Sequence, residues 1–176
     1  MLRLVKALTL LLIFLPPAAL GWHEKETYNT DKTIITYDSR DDFYSFEKRL
    51  FGELEYLIHS SGPESQRLSK HVDSLYEETE EILGLYPRAG KINIEIFHDN
   101  DTFTQAYHEL GFSGTPPESF YSSKSRKIYV NVEDIDDYKL AHEMAHSIMC
   151  DYFIIPPPSK TQEILARYVE RKLSGD

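Results

Sequence analysis

The 176-residue sequence predicts an α+β fold, a small mixed β-sheet packed on helices, and three observations lead there. Stretches of period-two alternation are short and interleave with longer stretches of 3.6-residue periodicity, an order that argues against both a helix bundle and a sandwich. Residues 22–176 form a stretch that one core accommodates, and neither internal repeats nor low-complexity segments divide them. The expectation is therefore a single domain over 22–176.

Each element follows from local chemistry. Met1–Gly21 combines Arg3 and Lys6, an apolar run from Ala7 to Leu15, then Pro16, Pro17 and small residues, the layout of a cleavable signal peptide. Ala19 and Gly21 satisfy the small-x-small rule for cleavage after Gly21. A secreted or periplasmic location is expected, without stable membrane insertion after cleavage; an uncleaved anchor is the minor alternative. Thr33 to Tyr37 reads as a strand. Phe43, Phe46, Leu50, Leu54, Leu57 and Ile58 mark a helix stopped at Ser61-Gly62-Pro63, and Leu68, Val72, Leu75, Thr79 and Ile82 mark a second that stops at Gly84. Ile92, Ile94 and Ile96 alternate as a strand. Asp101 is placed to cap a short helix through Phe103, Tyr107 and Leu110, and Gly114 to Pro117 begin a loop. Ile128, Val130 and Val132 define a strand over Arg126 to Val132.

The next helix carries the chemistry. Leu140, Ala141, Met144, Ala145, Ile148 and Met149 give it an apolar face, and Asp136 or Asp137 offers an N-cap. On it lies His142-Glu143-Met144-Ala145-His146. Residues four apart stand one turn above each other, so two imidazoles can aim at one cation with a carboxylate beside them. Catalytic zinc takes three protein ligands and leaves a fourth position open, so a third donor is required. Pro156, Pro157 and Pro158 end the helix. Ser159 with Gln162 reads as a capping box that starts another, with Glu163 in its first turns and small Ala166 permitting close helix approach.

His142-Glu143-x-x-His146 followed by Glu163-Ile-Leu-Ala166-Arg-Tyr168-Val-Glu170 resembles the gluzincin branch of zinc metallopeptidases, the thermolysin-like and aminopeptidase N-like enzymes with a peptidase MA-like domain. That branch reads Glu-Gly-x-Ala-x-Tyr-x-Glu on the second helix, and the chain departs from it at Ile164. The resemblance is strong over 137–171 and extends weakly back to about Thr33. It implies a zincin-like fold, one Zn²⁺ held by His142, His146 and Glu163, and Glu143 as general base for attack of water on a peptide bond. Relatives orient the first histidine through an acid one turn after the glutamate ligand. Arg167 stands there, so another group must take that part, with Glu170 and Asp151 as candidates. Many relatives also use an oxyanion donor; one in this chain would come from upstream, with Tyr121, Tyr129 and Tyr107 as candidates. In such enzymes an edge strand binds extended peptide, which puts Tyr129 and Asn131 forward as a substrate-binding strand against the plainer alternative of an ordinary sheet strand.

The remaining features narrow the partners. Nineteen basic against 29 acidic residues give a net charge of −10, which becomes −12 when Arg3 and Lys6 leave with the signal peptide, so nucleic acid is not an expected partner. Cys150 is the only cysteine; without a disulfide, stability rests on packing and metal, and a buried apolar role suits Cys150 better than ligation. His98, Asp99 and Asp101 read as a polar turn with a helix cap. The expected partner is a peptide or protein substrate. Two competing readings are a zinc-stabilised accessory domain with weak or no turnover, and a zinc amidase acting on a non-peptide or cell-wall amide.

Overall fold

The alternating isoleucines do assemble one sheet, and its two outermost strands have little apolar pattern of their own. The computed structural model describes residues 25–52, 64–88 and 90–175. The signal peptide expected over 1–21 lies outside them, as does 53–63, where the second half of the first predicted helix falls. The strands are β1 (Glu26–Asn29), β2 (Thr33–Tyr37), β3 (Ile92–Phe97), β4 (Ser119–Ser122) and β5 (Lys127–Asn131). The helices are α1 (Arg40–Phe51), α2 (Glu64–Leu83), α3 (Asn100–Glu109), α4 (Asp137–Tyr152) and α5 (Ser159–Ser174).

The strand order is β1-β2-β3-β5-β4, with β2, β3 and β5 parallel and the outer strands β1 and β4 antiparallel to their neighbours. The fold is α+β with a mixed sheet. Ile35, Ile94 and Ile128 lie side by side across the three parallel strands, and all three are fully buried. With Ile96 and Val130 they face one core, completed by Phe46 of α1, Leu68 and Val72 of α2, Met144 and Ile148 of α4, and Ala166 and Val169 of α5. Alternate strand residues point the other way. Phe97, Phe120 and Tyr129 meet Phe103 of α3 in a smaller aromatic core, where the Phe120 and Tyr129 rings stack at 4.8 Å. Among the described residues, no helix is long and apolar enough to cross a membrane.

Four expectations are corrected. The first helix closes at Phe51, where Gly52 takes φ 77°, a left-handed value that stops the α-helical ladder and that glycine adopts without strain. The short helix is capped by Asp99, whose carboxylate accepts from Thr102 N–H at 2.8 Å, and Asp101 belongs to the first turn. The capping box at Ser159 does not form. Pro158 has the extended backbone of an N-cap, and its carbonyl accepts from Thr161 and Gln162, so the helix begins a residue early and the Gln162 side chain is released for other use. Finally, the strand at Tyr129 and Asn131 is no edge, because β4 pairs along its outer side. The Ser-Phe-Tyr-Ser segment of β4 escaped notice because its two serines face buried positions.

Candidate metal centre

Asp136 caps α4 through a bond from Lys139 N–H, and the apolar positions of that helix turn into the core. That leaves His142 and His146 on the face toward α5, where Ala166 and Val169 bring the second helix close. Their Nε2 atoms lie 3.2 Å apart. Glu163 completes the group, with Oε2 3.6 Å from His142 Nε2 and Oε1 3.3 Å from His146 Nε2. One donor atom from each of the three residues falls within 4.8 Å of the others. Donors placed about 2.05 Å from a tetrahedral ion are ~3.3 Å from one another, so the spacing fits zinc.

The protonation pattern supports the same conclusion. Gln162 Nε2 donates to the Pro157 carbonyl at 2.7 Å, which turns Gln162 Oε1 toward His146 Nδ1 at 3.3 Å. An amide oxygen only accepts, so His146 carries its proton on Nδ1 and presents a bare Nε2. Glu170 Oε1 lies 2.6 Å from His142 Nδ1. This approach is off the line of the ring N–H, so Nδ1 lacks a well-directed hydrogen bond, yet the nearby carboxylate still favours a proton there. With a proton on each Nδ1, two bare nitrogens and a carboxylate face one another. Three acceptors at such distances repel unless a cation joins them. Burial holds His146 below the ordinary histidine value, against the pull of its bond to Gln162, which keeps it neutral and ready to ligate.

Glu143 lies beside them and is only 7 % exposed. Burial pushes its carboxyl up to about 7, although the neighbouring His142, a bond from the Ser119 hydroxyl at 3.1 Å and a bond from the Tyr121 backbone N–H each work to lower it. A carboxyl at that value can both accept and release a proton at neutral pH. The group opens into a cleft of about 530 Å³, walled by Phe112, Pro117, Tyr121, Cys150 and Pro156 among others.

The structure brings together His142, Glu143, His146, Glu163 and Glu170. Other expected residues fall elsewhere. Asp151 pairs with Arg126, away from the histidines. Tyr129 and Tyr107 pack in the aromatic core on the opposite side of the sheet, because both belong to the set facing α3. Asn131 is buried and bonds to Asp134 and to the Glu133 N–H. Tyr121 lines the cleft, but its hydroxyl is buried beside Ser147, Cys150 and Asp151, and burial first of all raises it to about 12. Cys150 is half-buried. His98 bonds to the buried Asp42 at 2.6 Å while Asp99 caps α3, as a polar turn requires. Sequence reasoning missed Ser119 and Gln162. Nothing local marks Ser119, which acts from a strand 24 positions away, whereas Gln162 was visible and assigned to a cap. Comparison with family models, with curated proteins and with solved structures found no match to this chain.

Proposed function

We propose that the chain is an exported zinc-dependent peptidase of the gluzincin type, with a zincin-like arrangement of sheet and active-site helix. One observation carries the reading: His142 Nε2, His146 Nε2 and the Glu163 carboxylate converge at distances that suit one ion, with Glu143 buried next to them. Zinc bound there would supply a Lewis acid that activates water and polarises a carbonyl oxygen. The chain's own residues account for the rest. Glu143, held near neutrality by burial, takes the proton of the attacking water and returns it to the leaving nitrogen. Gln162 holds His146 in its ligating tautomer through a hydrogen bond, and the Glu170 carboxylate beside His142 Nδ1 favours the same tautomer there. Strand β4, last in the sheet among the described residues and bonded to Glu143 through Ser119, offers its outer edge to an extended peptide in place of β5.

The test pairs zinc content with cleavage of a generic peptide library. Wild type should hold about one zinc per chain and cleave. Glu143→Gln should keep the metal and lose activity by about 10²–10⁴-fold, and Glu163→Ala should lose metal. Full activity in Glu143→Gln removes the base from its role. Wild type that holds zinc yet cleaves neither the library nor cell-wall amides is instead a zinc-stabilised accessory domain.

A further inference from the structure

We propose that the α4–α5 loop and the outer face of α5 form a docking surface for an anionic lipid bilayer. The tip of the loop is the first observation. Ile154 is 102 % exposed and Ile155 84 % exposed, and both follow the exposed pair Tyr152 and Phe153. Pro156, Pro157 and Pro158 come next, so the backbone that would fold this tip back over the domain has fixed φ angles and no N–H to spend. The result is a raised apolar point.

The second observation is independent of the first. Lys160, Ile164, Tyr168 and Lys172 recur every four residues along α5 and therefore form one stripe, with Arg167 and Arg171 exposed along the same helix. Ile164 is 58 % exposed, and the Lys172 ammonium lies over the Tyr168 ring at 5.6 Å. None of the four cations forms a salt bridge with a described residue. The two acids of α5, Glu163 and Glu170, are turned toward the histidines, which leaves the outer face purely cationic in a chain of net charge −10. Cations interleaved with aromatic and aliphatic side chains match lipid phosphates above and acyl chains below. An acidic protein would also answer to the charge, but a convex tip of two bare isoleucines suits insertion into a fluid layer rather than a flat contact. The surface uses none of the metal ligands, so it stands or falls apart from the peptidase reading.

The experiment is co-sedimentation of the full chain with vesicles of phosphatidylcholine alone or mixed with phosphatidylglycerol. Wild type and variants share one N-terminus, so the apolar stretch at residues 7–15 contributes equally to all. Binding should favour the anionic vesicles and weaken with salt. Ile154→Ser with Ile155→Ser should lower the partition constant by about tenfold per isoleucine. Lys160→Glu with Arg167→Glu should abolish the preference for phosphatidylglycerol while thermal unfolding stays unchanged, since all four positions are exposed. Variants that bind both vesicle types as wild type does would overturn the proposal. So would a wild type that ignores vesicles.

Discussion

Glu143 and Glu95 sit on opposite sides of one sheet, both largely hidden from water, and their carboxyls shift in opposite directions. Burial works to raise each of them. At Glu95 it is outweighed by bonds from Lys127 at 2.9 Å and Lys25 at 2.8 Å, and the group is held below its ordinary 4.5. At Glu143 no lysine or arginine among the described residues forms a salt bridge with the carboxylate. The neighbouring His142 and bonds from the Ser119 hydroxyl and the Tyr121 N–H offset only part of the desolvation, and the group rises to about 7. The difference separates a carboxylate that the fold pairs with two cations from one that, on the proposed function, serves proton transfer. The first is neutralised by the fold, whereas the second is left for a ligand to neutralise.

That contrast makes the same substitution act with opposite sign at the two positions. In metal-free protein, the folded Glu143 carboxyl titrates above its unfolded counterpart at 4.5, so the folded state binds the proton more tightly. Its ionisation destabilises the fold progressively from about pH 4.5 to pH 7, and the penalty is complete above that, up to about 3 kcal/mol. Glu143→Gln should therefore raise the melting temperature of the chelated protein at pH 8 and leave it little changed at pH 4. Destabilisation by Glu143→Gln at pH 8 would mean that the carboxylate already has a compensating partner.

The helices and central strands were legible because their apolar residues recur at one period and bury on one face. Leu68, Val72 and Leu75 did so on α2, and Ile92, Ile94 and Ile96 did so on β3. Strand β1 was not, since Glu-Thr-Tyr-Asn has no alternation and stays largely exposed. The candidate metal ligands were legible through spacing on helices, and Glu170 through the lack of an acid at Arg167. Tyr107 and Tyr129 fall away from the site for a different reason. Which face of the sheet Tyr129 takes depends on register with β3 and β4, and register is a tertiary property that a single strand's pattern does not contain.

The next largest effect concerns the groups that set the tautomers. Glu170→Gln removes the charge beside His142 Nδ1, and Gln162→Leu removes the only acceptor facing His146 Nδ1 among the described residues. Each should weaken zinc binding by about 10–100-fold, measured by competition with a chromophoric chelator, while leaving stoichiometry at one. The pair should be close to additive, because the two side chains act on different rings. Unchanged affinity in both variants would show that Nε2 is presented without outside help, and the tautomer argument for the centre would lapse.

The smallest effect is on the other side of the sheet and tests the remaining half of the contrast. A carboxyl held below its ordinary value contributes stability that is present above the unfolded pKa and is lost as pH falls through the lower folded one. Glu95 should accordingly support the fold at neutral pH and cease to do so in acid, below its ordinary 4.5. Glu95→Gln should cost about 1 kcal/mol at pH 7, a modest figure because Lys25 and Lys127 remain about one-third exposed and water takes over their solvation. The loss should shrink in high salt and vanish at low pH, where wild type and variant unfold together in urea. A salt-independent loss that persists in acid would point to packing against Phe97 and Tyr129 rather than to charge, and Glu95 would then no longer be the ionic counterpart of Glu143.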